Sequence, residues 1–591
     1  MYEELGVKIG IELHQQLNGK KLFCDCNCEI NEKEILGEIR RRIKTVTGES
    51  GETDVAGTYE ILRDKEFLYR SYIDESCLVD CDEEPCHYIN KDHFNDSLRL
   101  ALFLKLKIPD YICVMRKNVF DGSVSSGFQR TMIIGLESKD SFIETSKGKV
   151  KLEQLNLEED ACKIISKEKG IVIYSLSRQG IPLWELGTDA SIKDSEQALE
   201  VSKHLGMIFR SFDCIKRGIG SIRQDINISI NEGARVEIKG WQDLRTFKLL
   251  IENEILRQKY FINLKKELKD FILEDKMDVT ELFKNCNFNI FKNMIDKNAV
   301  VLCLKINDFN NKFKEEICCG KLLGKEIAEY AMAYGVKGMI HSDEDLSKYH
   351  LEKEFELLKK KLKANNKDLV LVICEQKDIC KKAMDAVIER LKNLKKGVLE
   401  ETRIPNHKDG TSSYARPLPG RNRMYPETDH PLIEIGDLSG LERVKLLEER
   451  IYEVVKKYNL SDNLAKEVIE NDYEQYLKND PKFVAYCLIE IPKEIKSRFG
   501  LVGLTVEDIL IALTKVDIFG KERIIDVLVD FLKNKKFDFN KFKIKDIKEK
   551  EIIQIIKENK GASFNAIMGK VLERFKDANI KKVIEIIKKN I

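Results

Sequence analysis

Along residues 7–17 apolar and polar positions alternate. Val7, Ile9, Ile11 and Leu13 fall on one side of an extended chain, and Lys8, Gly10, Glu12 and His14 on the other. A period of two predicts a strand with one face in a core. The alternation returns in 221–230, where Ile222, Ile226, Ile228 and Ile230 oppose Arg223, Asp225 and Asn227. It returns again in 235–239, where Val236 and Ile238 oppose Arg235, Glu237 and Lys239. Asn231-Glu232-Gly233 between them can turn the chain, which predicts an antiparallel sheet with one greasy face and one face carrying both signs of charge. Strands and turns prevail to about residue 245. One helix is expected near 195–210, where Asp194 and Gln197 form a capping box ahead of Leu199, Val201, Leu205 and Ile208.

From about 283 the pattern changes to strand (299–306), helix (325–334), strand (369–374) and helix (383–394), which reads as an independent α/β insert. Residues 401–434 hold five of the ten prolines in the chain and predict loop and active-site wall. Beyond about 438 the apolar spacing is three and four residues, with Glu and Lys between, and predicts helices to the end.

Composition changes the picture in two places. The 591 residues are roughly four common domain lengths. Lys+Arg at 101 and Asp+Glu at 100 give a formal +1, so the whole chain is no polycation. Yet residues 531–591 carry 17 Lys/Arg against 8 Asp/Glu, so the basic charge is concentrated in the tail. A solvated helical surface and an RNA-docking tail both account for that run. The 34% charged content, the acids at Glu3 and Glu4 where a signal peptide needs basic residues, and the lack of an apolar run of about 18 residues lead to the expectation of a cytoplasmic protein with no membrane span. The sixteen cysteines are then thiols or metal ligands rather than a disulfide scaffold.

Glu12 and His14 point the same way, about 7 Å apart along a strand. An E-x-H pair alone is more often a surface pairing, and it gains meaning if further acids converge on it. Glu158, Glu159 and Asp160 follow an apolar run, and Glu185 stands alone among apolar neighbours after a Gly180–Pro182 turn. Glu12, Glu158 and Glu185 with His14 would form a hard, oxygen-rich site suited to Mg²⁺. The bland alternative for 158–160 is an acidic helix N-terminus; an isolated acid such as Glu185 needs a partner in any case. Cys24 and Cys26 with Cys77 and Cys81 form C-x-C…C-x3-C, with Cys28, Cys86 and His87 nearby. Paired thiolates favour a structural Zn²⁺, although the spacing departs from the C-x2-C of zinc ribbons. The loop 122–130 lacks the P-loop lysine but offers Ser125, Ser126, Gln129 and Arg130 as donors to a nucleotide or substrate. No nucleophilic Ser or Cys has a credible local base, which leaves amide hydrolysis to another protein.

The segments GIELHQQL, RSYIDESCLVDCDEEP, MRKNVFDGSVSSGFQRT, LEEDACK, SRQGIPLWEL, GSIRQDINISI, ARVEIKG, RPLPGRNRMYPETD and NAIMGKVLERF resemble, in order, the GatB/GatE family over essentially the whole chain. The likeness is closer to the archaeal GatE members, because the insert, with AYGVKGMIHSDE, resembles the insertion domain of bacterial-type aspartyl-tRNA synthetases, which GatB members lack. The resemblance implies an α+β multidomain fold. A mainly antiparallel β cradle (1–282 and 397–437) would be interrupted by the aspartyl-tRNA-synthetase-like domain (283–396) and followed by a helical domain (438–515) and a YqeY-like, tRNA-binding tail (516–591). The family's Mg²⁺ ligands fall on Glu12, His14, Glu158 and Glu185. Its zinc pattern falls on Cys24, Cys26 and Cys77, with Cys81 as the fourth expected ligand.

The resemblance also implies a function, with ATP and Mg²⁺ as cofactors. Glutamate esterified to tRNA(Gln) would be phosphorylated on its side chain and then amidated by ammonia from a GatD-like amidase partner in a heterodimer or heterotetramer. Arg223 and Lys239 would act as electrostatic partners together with Arg116 or Lys117, and Asp225, Ser125, Gln129 and Arg130 as ATP-side contacts. Two rival readings are a non-catalytic tRNA-binding or quality-control protein, suggested by the tail, and a synthetase relative forming an adenylate, suggested by the insert.

Overall fold

The computed structural model describes the chain except for residues 1, 3, 43–50, 64, 169, 269–270, 421–422, 427, 545–547, 576–579 and 591. Arg421, Asn422 and Glu427 of the RPLPGRNRMYPETD motif therefore lie outside the described residues. Two compact units emerge, Met1–Val444 and Lys445–Ile591.

The first unit is built on an eleven-stranded sheet. Its strands in chain order are β1 (Lys8–Gln16), β2 (Met115–Asn118), β3 (Phe128–Leu136), β4 (Gly148–Glu159), β5 (Pro182–Thr188), β6 (Ile222–Ser229), β7 (Val236–Trp241), β8 (Glu401–Pro405), β9 (Ser412–Pro417) and β10 (Met424–Tyr425), with Phe142–Thr145 paired onto β4. The spatial order is β9-β8-β7-β6-β1-β5-β4-β3-β2-β10. Neighbours along it run antiparallel except β7 and β8. The alternation read from the sequence decides the faces. Ile9, Ile11, Leu13, Ile226, Ile228, Val236 and Ile238 are wholly buried, each contributing about 1.5–3 kcal/mol by burial. Helix Ser195–Arg210 packs on β1, and helix α1 (Phe247–Glu267) packs on β6. At the start of Ser195–Arg210, Asp194 accepts from the Gln197 amide as expected. The Gln197 side chain, however, reaches back to the Lys193 amide rather than to Asp194.

The alternative of an acidic helix start at 158–160 does not hold, since Glu158 and Glu159 end the twelve-residue strand β4 and Asp160 follows it. Much of 401–434, expected as loop, is strand. Pro405 and Pro417 close β8 and β9, and β9 is an edge, where a missing ladder donor costs little.

Within the insert, Val300–Ile306 and Leu369–Glu375 pair antiparallel and share a four-stranded sheet with Met277–Asp278 and Ile340–His341. The strand–helix alternation therefore does not make a parallel sheet. The insert has its own core around Phe283, Leu351, Phe355 and Val372. It is not independent, since its helices α2 (Leu323–Met332) and α3 (Lys377–Lys392) pack on each other and α2 packs on β9.

In Lys445–Ile591 the described elements are helical. One core runs from Leu447 to Leu532 and includes Phe519, Val527 and Leu528, and a second joins Ile552, Ile555, Ile567, Val571 and Ile587. The change of core thus lies beyond residue 532, later than the expected boundary at 515. No described helix is long and apolar enough to cross a membrane.

Candidate functional site

The face of the sheet opposite the helices opens into a cavity of about 480 Å³. Strand register puts the acids there. His14 stands between Glu185 of β5 and Arg223 of β6, and Glu12 is opposite Asp225. Leu183 is opposite Glu158, which staggers Glu158 and Glu185 by two residues on adjacent strands. Glu12, His14, Glu158, Glu185, Arg223, Asp225, Lys239, Lys117 and Gln129 all line this cavity. Glu12 and Lys239, 227 residues apart in the chain, therefore meet on one face.

Lys117 Nζ donates to Glu158 at 2.9 Å and to Glu185 at 2.7 Å, and His14 Nε2 lies 4.0 Å from Glu185. Thr131 Oγ1 donates to Glu158 at 3.1 Å, and Asn227 donates to Glu12 at 3.0 Å. Lys239 is held by Asp225 (2.8 Å) and Glu237 (2.9 Å), and Arg223 by Asp160 (2.8 Å), which also accepts from Gln16 (2.6 Å). The cations are thus fixed by carboxylates before any ligand arrives.

The acids do not share one electrostatic fate. Burial, then the charges of Glu185 and Glu237, push Glu12 up to about 8, and burial with Glu185 pushes Glu158 up to about 7. Burial would raise Glu185 as well, but Lys117 and His14 outweigh it and hold its pKa below the usual carboxylate range. Asp225, despite burial, is lowered to about 2 by Lys239. Burial lowers His14 and favours the neutral imidazole, the form that ligates metal. Raised carboxylates among like charges are groups that a divalent cation would relieve.

The donor geometry fits such an ion. Ligand atoms of His14, Glu158 and Glu185 lie within 4.8 Å of one another, and so do those of Glu12, His14 and Asp225. The four expected residues therefore form two overlapping triads that share His14, with Asp225, expected among the nucleotide contacts, completing the second.

Other expected contacts are elsewhere. Arg116 does not line the cavity; its guanidinium lies over Phe128 and Tyr425. Ser125 is buried and donates to the Asp80 carbonyl, and buried Arg130 pairs with Glu159 and lies over Phe23. Successive residues of β2 and β3 point to opposite faces, which is why Lys117 and Gln129 reach the cavity while their neighbours Arg116 and Arg130 do not. Ser126 is spent locally on the Phe128 carbonyl.

Cys24, Cys26 and Cys77 converge as expected, but the fourth member is Asp80 and not Cys81. The Cys77 amide donates to Asp80 Oδ2 at 3.1 Å and turns that carboxylate back over the thiols, while Lys21 holds it from behind at 3.0 Å. Cys81 is buried among Phe67, Tyr69, Val172 and Tyr174. Hydrogen bonds from Cys24 and Cys26 lower the pKa of Cys77. Three sulfurs and one carboxylate form a set suited to zinc.

Sequence reasoning missed Asp121, Arg416, Arg423 and Glu237 as cavity residues. Glu237 was available from the alternation of 235–239. Asp121 and Arg416, 3.4 Å apart, come from a loop and an edge strand where no period marks them.

The chain matches the GatB/GatE catalytic domain over residues 7–439. A protein of Methanocaldococcus jannaschii, named as a subunit of glutamyl-tRNA(Gln) amidotransferase, is 37% identical, covering 100% of this chain and 99% of its own length. Proteins of the same name from Methanococcus maripaludis (38% identical, 91% and 88% covered) and Haloarcula marismortui (39% identical, 79% and 75% covered) are also similar. With the family's domain matched across most of its length and relatives aligned from end to end, the chain belongs to the GatB/GatE family.

Proposed function

We propose that this chain is the tRNA-binding, ATP-using subunit of a glutamyl-tRNA(Gln) amidotransferase and that the sheet cavity is its reaction chamber. The observation that carries the reading is the convergence of Glu12, His14, Glu158, Glu185 and Asp225 around two fixed lysines, Lys117 and Lys239. A non-catalytic tRNA-binding protein has no use for that arrangement.

In the reaction, the side-chain carboxylate of tRNA-bound glutamate takes the γ-phosphoryl group of ATP and ADP leaves. Neutral ammonia then attacks the acyl phosphate, phosphate departs, and glutaminyl-tRNA(Gln) remains. Glu158, Glu185 and His14, with Glu12 and Asp225 beside them, would hold Mg²⁺, which when bound supplies charge neutralisation for phosphate oxygens. Lys117, Lys239 and Arg223 present preorganised positive charge, since each is already held by buried carboxylates and needs no reorganisation at the moment of transfer. The cavity walls from β9 and the loop around Gly420 limit water, which would hydrolyse the acyl phosphate. Cys24, Cys26, Cys77 and Asp80 would hold a structural zinc that braces the loops beside β1.

The ammonia comes from a GatD-like amidase partner, in a heterodimer or heterotetramer. The helical domain and the YqeY-like tail grip the tRNA by backbone shape and phosphate charge. The test mixes this chain and an amidase partner with ATP, glutamine and either glutamyl-tRNA(Gln) or aspartyl-tRNA, then identifies the amino acid recovered. Glutamine from the first, with one ADP per product, is expected. Pyrophosphate release, or no conversion, overturns the reading.

A further inference from the structure

A second cavity, of about 380 Å³, lies where the insert meets the sheet, between helices α2 and α3 and strands β8 and β9. Four tyrosines line it: Tyr59, Tyr330, Tyr334 and Tyr414. Tyr330 and Tyr414 stack with centroids 3.9 Å apart, and Tyr59 meets Tyr334 edge-on at 5.7 Å and Tyr414 at 6.1 Å. Arg390 of α3 also lines the cavity, and it is 2% exposed. Its guanidinium carbon lies 4.6 Å from the Phe261 ring centroid and 5.4 Å from that of Tyr330.

Among the described residues, none of the three guanidinium nitrogens of Arg390 has a hydrogen-bond partner, and neither has the buried hydroxyl of Tyr59. Ring contacts attract the cation, but they accept none of its in-plane N–H bonds. A shortage of carboxylates does not explain this. The equally buried Arg257 is paired to Glu254 and Glu326, and Arg403 to Glu326, Glu401 and Ser412. Glu401 lines the same cavity, yet its oxygens go to Arg403 and to the Tyr330 hydroxyl. The fold satisfies Arg257 and Arg403 and leaves Arg390 without a hydrogen-bond partner in the wall of a space the size of a small-molecule site.

Other parts of the lining have the opposite character. Glu389 and Glu400 are exposed lining residues, and tyrosine faces attract cations. We propose that this cavity binds a small zwitterion, a free amino acid in chemical class, with its carboxylate inward on Arg390 and its ammonium outward between the tyrosine rings and the rim acids. A carboxylate fits the planar fork of a guanidinium through two parallel hydrogen bonds. Because α3 and the β8–β9 edge both contribute walls, the occupant would tie the insert to the sheet.

The test titrates the full-length chain with each free amino acid by calorimetry, with acetate, ethylamine and inorganic phosphate as single-charge arms. At least one amino acid should bind, with acetate and ethylamine weaker by about 100-fold or more, and Arg390→Gln should weaken it by about 30-fold or more. Tyr59→Phe, which removes only a hydroxyl at a half-buried position, should weaken it about threefold to tenfold and serves as the deciding variant if Arg390→Gln does not fold. A free amino acid that instead enters the reaction chamber would bind the Arg390 and Tyr59 variants unchanged, and that result overturns the proposal. So does the absence of amino-acid binding, or phosphate binding as tightly as the best amino acid.

Discussion

Two clusters of buried charge lie on the same sheet and differ in kind. Between α1, α2 and β8, Arg257, Arg403 and Lys321 meet Glu254, Glu326, Glu329 and Glu401, all but wholly buried and bonded to one another at 2.5–3.5 Å. Within that cluster Glu326 is driven well below the usual carboxylate range, burial notwithstanding, by Arg403, Lys321 and Arg257, while burial and the charge of Glu326 raise Glu329. The reaction-chamber cluster uses the same residue types but is open to a cavity, and its raised acids are Glu12 and Glu158. Burial of charge alone therefore marks neither function nor stability. What distinguishes the two is that every acid of the first cluster bonds a buried cation, whereas Glu12 in the chamber accepts from Asn227 and from no cation among the described residues.

The contrast predicts opposite consequences for a one-atom change. Glu185→Gln should lower glutamyl-tRNA conversion about a thousandfold or more while tRNA affinity and melting temperature hold, because it removes charge from a site that has acids to spare. Glu326→Gln should destabilise the fold by about 3–5 kcal/mol, since it leaves Arg403 and Lys321 buried and short of a partner; chemical denaturation of both variants reads the difference. Loss of activity from Glu326→Gln in a fully folded protein would erase the distinction.

The cysteine group sharpens the comparison at smaller scale. Cys77→Ser should abolish zinc recovered by metal analysis and Asp80→Asn should reduce it, whereas Cys81→Ser should leave it at wild-type level. In the second unit, ending the chain after Lys543 spares the core that runs to Leu532 and removes the second one. It should weaken tRNA binding several-fold and flatten the dependence of log affinity on log salt by about 2 or more. Unchanged salt dependence would make the lysines of the tail a solvated surface and nothing more.

The parts legible in the sequence are those with a period. Glu12, His14, Arg223, Asp225 and Lys239 could be assigned to one face because alternation survives in a sheet whose other face is packed. Glu158 and Glu185 stood out as acids beside apolar runs. Asp80 could not be chosen over Cys81, because the choice depends on a turn in which the Cys77 amide donates to the Asp80 carboxylate. The helix Lys91–Phe103, capped by Asn90, escaped notice within text that reads as strand and turn. The Arg257–Arg403 cluster was also illegible, since its members lie on α1, α2 and β8, with Lys321 just ahead of α2, far apart in the chain, and each looks alone like an ordinary surface charge.

The most direct measurement is divalent-ion binding by electron paramagnetic resonance, with Mn²⁺ as the probe for Mg²⁺ in wild type, Glu185→Gln and Glu326→Gln. Wild type should bind at least one ion, Glu185→Gln should lose it, and whatever Glu326→Gln remains folded should keep it. Mn²⁺ bound equally by wild type and Glu185→Gln, or by neither, would contradict the assignment of the unmatched acids to a metal and phosphate site.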